Sequence, residues 1–405
     1  EGARMIVHDQ MEIKGPADAT NAFKLRADAG KDGVIGWSET RSTTEQMNQI
    51  TKILDEGLRQ GALGVGSTVG YMRTGVTTYE LFEVQRTAAR YGRLSAFHAR
   101  FHPSSQTPTE APLGFDEVFT NAYLLDAPLL YQHDNDYGWW EIEEKLQMAR
   151  AKGLNMWSEY YPYEAGSTSV GSEFIRPETW EEGMGYKYEE TVYDPAQDKF
   201  LSKQEYLEMA KNDPGHVVIL FSPPRKEWLP YWLKMPHMTV GADSMVSGLG
   251  WDDDYRKYAG HPRTPGTHGK VLELARQHDV PLMFTLAQFS YWPALHLGDA
   301  GVEAMKVRGR MQEGMVADIT IFDPDKATDN STYKAGEQGL PTSGIPYVIV
   351  NGQIVVKDSK VLKVWAGQPI RFPVEERGRH VPASKEQWLK VHALDTGGVM
   401  FDDKQ

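Results

Sequence analysis

From residue 42 onward the chain alternates helical and extended periods, which restricts it to successive strand–helix units laid on a parallel sheet. Ser42 with Glu45 three residues on reads as a capping box, Met47, Ile50, Ile53, Leu54 and Leu58 follow on one helical face, and Gly61 stops the helix. A compact strand over 62–66 comes next. Thr77 with Glu80 opens a second helix that Gly92 ends, and Leu94-Ser-Ala-Phe-His98 is the following strand. The cycle repeats with a helix over 115–125, a strand over 128–133, a helix over 140–151 and a strand over 154–161. Four units in a row leave two architectures, a closed barrel or a doubly wound sheet. The opening Arg4-Met-Ile-Val-His8 reads as one more strand.

After Tyr163 the rhythm breaks. Residues 164–236, rich in Glu, Trp and Tyr, read as a lid-like or binding insertion whose aromatic residues pack. Order returns at His216-Val-Val-Ile-Leu-Phe221 and at Met238-Thr-Val-Gly-Ala-Asp243, and a helix-like stretch begins at Pro281-Leu-Met-Phe-Thr285. Beyond Gly309 the character turns all-β: Ala317-Asp-Ile-Thr-Ile-Phe322 and the two runs on either side of Asn351-Gly352 have strand composition, and Asn-Gly between such runs signals a hairpin. The expected organisation is a barrel-type unit over 1–308 and a small β unit with a tail over 309–405. The chain has no internal repeat, and Phe401-Asp-Asp-Lys reads as a solvated acidic end.

A length of 405 residues suits one barrel-sized domain with a smaller satellite. The net charge of −13 argues against a nucleic-acid partner, which demands a basic footprint, and favours work on small molecules. No apolar run approaches the roughly 20 residues that cross a bilayer, and the first residues lack a signal-peptide layout, so no membrane partner is expected. Cysteine is absent, so any metal held here takes nitrogen or oxygen ligands. The compartment stays open between cytoplasm and periplasm. A beginning without Met, directly in an apparent strand, reads as a processed or truncated start.

His98, His133 and Asp243 each close a short apolar run, the pattern of metal ligands and a proton carrier at the carboxyl ends of parallel strands. Taken singly, such histidines also serve as core residues, and an Asp after Gly-Ala also serves as a turn or helix cap. The set is incomplete for hydrolytic zinc, which takes three protein ligands plus water, and the chain contains no His-x-His pair.

Several segments in order resemble the D-aminoacylase, or N-acyl-D-amino-acid deacylase, branch of the metal-dependent amidohydrolase superfamily. They are Gly61-Ala-Leu-Gly64, Phe97-His-Ala-Arg100, Tyr161-Pro-Tyr163 with Gly166-Ser-Thr168, Val240-Gly-Ala-Asp243, His261-Pro-Arg263 with Gly266-Thr267, and Arg308-Gly-Arg310 leading to Gly314-Met-Val-Ala-Asp318. Ile321-Phe-Asp-Pro324 and Val350-Asn-Gly352 complete the series. The resemblance implies an α/β fold, a (β/α)8 TIM-like barrel with strands 3 to 8 in this chain, beside a β-sandwich. In that register Arg4 to His8 is barrel strand 3, while His98 and His133 end strands 5 and 6 as ligands of one or two zinc ions. Asp243 ends strand 8 as general base and then general acid. Tyr163 and Ser167 are implied to hold a substrate carboxylate, with Arg263 as its charge partner. Arg100 is read as a site-positioning residue or a plain ion pair, Tyr71 as a pocket or packing tyrosine, and His8 as a packing or solvent-exposed histidine. The family often follows the strand 6 histidine with Leu-Lys, whereas this chain has Asp134-Asn135-Asp136, which removes a cation from that place. Trp139-Trp140 suggests a bulky or apolar acyl group.

The implied activity is hydrolysis of a linear amide, an N-acyl-D-amino acid or related N-acyl compound. Hydrolysis of a cyclic amide of hydantoin or dihydropyrimidine type, or of a lactone, is the alternative on the same scaffold, and a non-catalytic ligand-binding subunit is the alternative of another class. The implied partners are an N-terminal fragment or second subunit that supplies strands 1 and 2 with the missing ligands, the small N-acyl substrate, and in addition a second copy of the chain.

Overall fold

Thr43 caps the helix Thr44–Arg59: its hydroxyl accepts from the Gln46 N–H while the Gln46 side chain accepts from the Thr43 N–H. The capping box thus lies one residue beyond the Ser42 and Glu45 of the sequence reading, because the Ser42 hydroxyl is engaged by Arg4 and His8. Met47, Ile50 and Leu58 turn inward as expected. Gly61 ends the helix at φ +98°, a left-handed conformation that a Cβ would penalise. This computed structural model describes residues 1–12, 14–15, 36–101, 111–245 and 247–394.

Four parallel strands follow at the expected places, β1 (Gly64–Thr68), β2 (Leu94–His98), β3 (Leu129–Tyr131) and β4 (Met156–Tyr160). The helices Thr78–Ala89, Ala111–Leu124 and Trp139–Ala151 connect them. The insertion then builds a four-stranded antiparallel sheet of its own. Its strands are β5 (Ala165–Ser169), β6 (Val192–Asp194), β7 (Lys199–Phe200) and β8 (Val217–Phe221), in the order β5-β8-β6-β7. After it, β9 (Thr239–Val240) joins the parallel sheet beside β4. The order β1-β2-β3-β4-β9 follows the chain without reversal. A doubly wound sheet reverses at a switch point, so this order is that of a barrel wall. Phe97, Leu129 and Met156 from the strands pack with Phe115, Val118, Ile142 and Leu146 from the helices.

The segment expected as barrel strand 3 is not a strand. Gly2–His8 is a helix, with Met5 almost fully buried. Arg4 and His8 both reach the Ser42 hydroxyl, which a helix permits because four residues advance about 6 Å along it, against about 13 Å along a strand. The Arg4 guanidinium, itself buried, pairs with Glu80 and donates to the Trp37 carbonyl at 2.6 Å. Five apolar and mixed residues are too few for periodicity to separate the two states. The parallel sheet therefore has five strands rather than six, and among the described residues none pairs with the outer edge of β1 or of β9.

The aromatic residues of the insertion do pack: Phe174, Trp180, Tyr188 and Tyr206 form a core with Val192, Val218 and Leu220. Toward the carboxyl end, β10 (Ile319–Ile321), β11 (Tyr347–Val350), β12 (Gln353–Lys357) and β13 (Lys360–Val361) form one antiparallel sheet in chain order. Asn351 at φ +50° and Gly352 at φ +78° make the two-residue β11–β12 connection, the left-handed pair that a type I′ hairpin requires. None of the residues of these four strands is fully buried. The chain then returns to the first long helix: Phe372 donates to the Gly61 carbonyl, Glu375 to that of Arg59, and Ala383 exchanges hydrogen bonds with the Asn48 side chain. The acidic end at 401–404 lies outside the described residues. Among the described residues no helix is long and apolar enough to cross a membrane.

At the amino ends of the strands, His296 stacks on Trp157 at 4.6 Å, and its ring nitrogens meet Asn155 Oδ1 at 2.8 Å and His237 Nδ1 at 3.1 Å. Burial, with His237 and Arg150 nearby, pushes His296 down to about 3 from 6.5. The folded state thus keeps this ring neutral where the unfolded chain takes up a proton. Its contribution to stability is complete above pH 6.5 and declines as pH falls from there toward 3. Unfolding midpoints between pH 7 and 4 should fall less steeply in His296→Gln than in the parent.

Candidate active site

Parallel register places the two histidines together. Phe97 lies opposite Tyr131, so His98 closes β2 just where the chain leaves β3 toward His133. His98 Nδ1 lies 2.7 Å from His133 Nε2, with the rings edge-on at 80° and their centroids 4.5 Å apart. The ring of Tyr71 lies 5.2 Å from that of His98, and Phe174 of the insertion 6.4 Å away. Gly70 passes so close that a Cβ there would stand 2.7 Å from His98 Nε2. Two imidazole nitrogens at this separation share a proton, and a tetrahedral zinc held by both would set them about 3.3 Å apart. Nitrogen donors suit zinc, but zinc takes three protein ligands in a catalytic site. No group of three or more His, Cys, Asp and Glu placed to hold a metal occurs among the described residues.

Asp243 leaves β9 at φ +43° and is exposed. Its Oδ2 accepts a 2.8 Å ion pair from Arg263, whose side chain is only 3% exposed and lies over the Tyr161 ring at 4.8 Å. The sequence reading gave Asp243 to proton transfer and Arg263 to the substrate carboxylate; the fold joins them to each other. Between His133 and Asp243 stands Glu159, a residue the sequence reading missed. The His133 N–H donates to its carboxylate, while burial and then the charge of Asp243 push it up to about 7. The available signal was a carboxylate within the mostly apolar strand Met156-Trp-Ser-Glu-Tyr160, since an acid in a covered sheet needs a reason.

The other expected site residues fall in different places. Tyr71 stands beside His98 and accepts from the Thr168 hydroxyl at 3.1 Å. Tyr163 is buried and donates to Asp329 Oδ2 at 2.7 Å, and burial together with that carboxylate pushes its hydroxyl upward. Ser167 spends its hydroxyl on the Val218 carbonyl inside the insertion sheet. Arg100 gives two donors to Glu117 and a third to the carbonyls of Arg73 and Val76, an ion pair that ties β2 to a helix. His8 packs on Ser42, as expected. Trp139 belongs to the core with Trp232 and Tyr160, leaving only Trp140 exposed.

The segment Asp134-Asn-Asp136 receives a cation from the insertion. Asp136 receives Arg225 Nη2 at 2.5 Å, and the same guanidinium donates to the Tyr161 hydroxyl at 2.6 Å. Arg225 comes from the insertion and had no sequence signal linking it to this loop. Asp134 is 2% exposed, and its Oδ2 has no hydrogen-bond partner. Burial, then Glu143 and Asp136, push that carboxyl well up. A small cavity of about 10 Å³ lies there, lined by Tyr131, His133, Asp134, Asp136 and Tyr137 among others.

Parallel strands in chain order, with imidazoles and an acid at their carboxyl ends, have the layout of a barrel enzyme's rim. The chain matches no family model. It is 24% identical to D-aminoacylase of Alcaligenes xylosoxydans xylosoxydans over 344 residues, covering 81% of this chain and 65% of that protein. It is 25% identical over 348 residues to N-acyl-D-aspartate deacylase of the same organism, covering 81% and 61%. It therefore spans a little under two thirds of the length of these relatives. The crystal structure of D-aminoacylase, described as defining a subset of amidohydrolases, superposes with a TM-score of 0.63 at 23% identity, covering 83% of this chain and 68% of that one. N-acyl-D-glutamate deacylase of Bordetella bronchiseptica, solved with zinc and a phosphonate inhibitor, gives 0.66 at 21% identity, covering 92% and 78%. In sequence and in fold the chain is thus similar to the D-aminoacylases.

Tyr163→Phe removes a buried donor from a carboxylate and should lower unfolding stability by about 1.5–3 kcal/mol in denaturant titrations. A loss under about 0.5 kcal/mol would show that the Asp329 bond does not hold the tyrosine.

Proposed function

We propose that this chain carries the catalytic rim of a metal-dependent hydrolase that cleaves the linear amide of an N-acyl-D-amino acid to carboxylate and amine. The observation that carries the reading is the 2.7 Å approach of His98 Nδ1 and His133 Nε2 at the carboxyl ends of adjacent parallel strands, on the rim where barrel enzymes keep their chemistry. The relatives named D-aminoacylase and N-acyl-D-aspartate deacylase support the substrate class. The solved D-aminoacylase has a binuclear metal centre, so one or two ions are proposed here.

His98 and His133 would hold zinc. When bound, zinc polarises the amide carbonyl and lowers the pKa of water enough to supply hydroxide near neutral pH. Asp243, exposed at the end of β9, takes the proton of the attacking water and delivers it to the departing amine nitrogen. Arg263 orients Asp243 through their ion pair and supplies the guanidinium nearest to it for a substrate carboxylate. Tyr71 and Phe174 cover His98 from the side of the insertion and limit access of bulk water.

The third ligand and further strands come, in this reading, from a preceding segment or a second polypeptide. The outer edge of β1, unpaired among the described residues, supports this, since open edges invite pairing. So do Ile319, Ile349 and Ile354 on the small sheet, none of them fully buried.

His98→Ala and His133→Ala should each lose bound zinc, by metal analysis of the purified protein, together with release of amine from N-acyl-D-amino acids. Full zinc occupancy in both variants would exclude the ligand assignment. Asp243→Asn should keep zinc and lower kcat by about 10²- to 10⁴-fold; an unchanged kcat would remove Asp243 from proton transfer. Turnover of hydantoins or lactones only would replace the linear-amide reading, and activity indifferent to chelation would end the metal reading.

A further inference from the structure

We infer that Glu159 is a positioning residue of this centre, whose carboxyl group fixes the main chain at His133 and so aims the His133 imidazole at His98. The inference rests on the metal-site reading of those two histidines and goes beyond it by naming what holds one of them in place.

Glu159 grips two successive N–H groups. Its backbone carbonyl accepts from Asp134 at 2.7 Å, and its side-chain carboxylate accepts from His133. The backbone so held is unusual: His133 sits at φ +34°, a left-handed conformation that a residue with a Cβ adopts rarely and keeps only under outside restraint. β3 cannot supply that restraint, because its ladder ends at Tyr131. Glu159 is well anchored for the task, since its own strand pairs with β3 on one side and, through Glu159 opposite Thr239, with β9 on the other.

The space for this carboxyl is made by a glycine. A Cβ at Gly241 would lie 2.6 Å from Glu159 Cδ and 2.7 Å from Oε2, too close to be tolerated without displacing the carboxyl. Gly241 lies two residues before Asp243. One side chain thus touches the segment that carries the proposed ligand and the segment that carries the proposed acid-base group. The required chemistry is acceptance of an N–H bond at a fixed place, which an amide carbonyl performs as a carboxylate does.

The test measures zinc affinity by competition with a chelator in the full protein, with the segment or second polypeptide that supplies the third ligand present, alongside unfolding midpoints. Loss of a group that orients a ligand costs about 10- to 100-fold in metal affinity, and that fall is expected for Glu159→Ala. Glu159→Gln should stay within about 3-fold of the parent. Gly241→Ala, which leaves the carboxyl present but displaced, should weaken zinc as Glu159→Ala does, and the double variant should be no weaker than Glu159→Ala alone. Equal loss in Glu159→Gln and Glu159→Ala would overturn the inference in favour of a role for the charge. Unchanged affinity in Gly241→Ala would overturn it even where Glu159→Ala does not fold. A parent that binds no zinc would defeat the metal-site reading itself, whereas a parent that binds zinc with all variants unchanged would defeat only the role of Glu159.

Discussion

The parallel ladder through β2, β3, β4 and β9 is the constraint on which the candidate site depends. Its register puts Phe97 beside Tyr131, Tyr131 beside Ser158, and Glu159 beside Thr239. The residues just beyond each strand therefore emerge on one rim. The ladder is short at two of these places, with three residues in β3 and two in β9. His133 and Asp243 leave those strands in left-handed conformations. A longer ladder would have kept both residues extended, and their side chains would point elsewhere.

Charge at this rim follows the rule that a buried ion is either paired or discouraged. Arg263 meets Asp243, Arg225 meets Asp136, and Arg100 meets Glu117. The carboxyls of Asp134, Glu143 and Glu159 are instead pushed up, in each case by burial first. Glu143 is partly relieved by the Ser158 hydroxyl and Arg150, and Glu159 by the His133 N–H. The insertion enters this balance directly, since it delivers Arg225 to Asp136 and Phe174 to the side of His98. It is a folded unit with its own sheet and core, and its inner side completes the rim.

Much of the fold was legible in the chain. The strand ending at His98, the helix capped by Thr77 and the Asn351-Gly352 hairpin depend on local rules of periodicity, capping and turn conformation, and the structure follows them. The failures share a cause. Arg4-Met-Ile-Val-His8 is short and satisfies either period, so contacts remote in sequence, with Glu80 and Trp37, decided that it is a helix. Ser42 lost its cap to Thr43 because Arg4 and His8 claimed its hydroxyl. Arg100, Ser167 and Tyr163 carry groups able to bind substrate, yet their partners Glu117, Val218 and Asp329 are distant in the chain, and only folding showed them engaged.

The sequence by itself determined that helices and strands alternate from residue 42 onward, and that two histidines and an aspartate stand at strand ends, because these follow from residue-by-residue preferences over a few turns. Only the tertiary structure decided that the histidine nitrogens meet at 2.7 Å, that Asp243 lies on Arg263, and that Glu159 stands between the segments carrying His133 and Asp243. Distances of that kind arise from the register of neighbouring strands and from the burial of charge, and residues 20 or more apart in the chain reach them only when the sheet assembles.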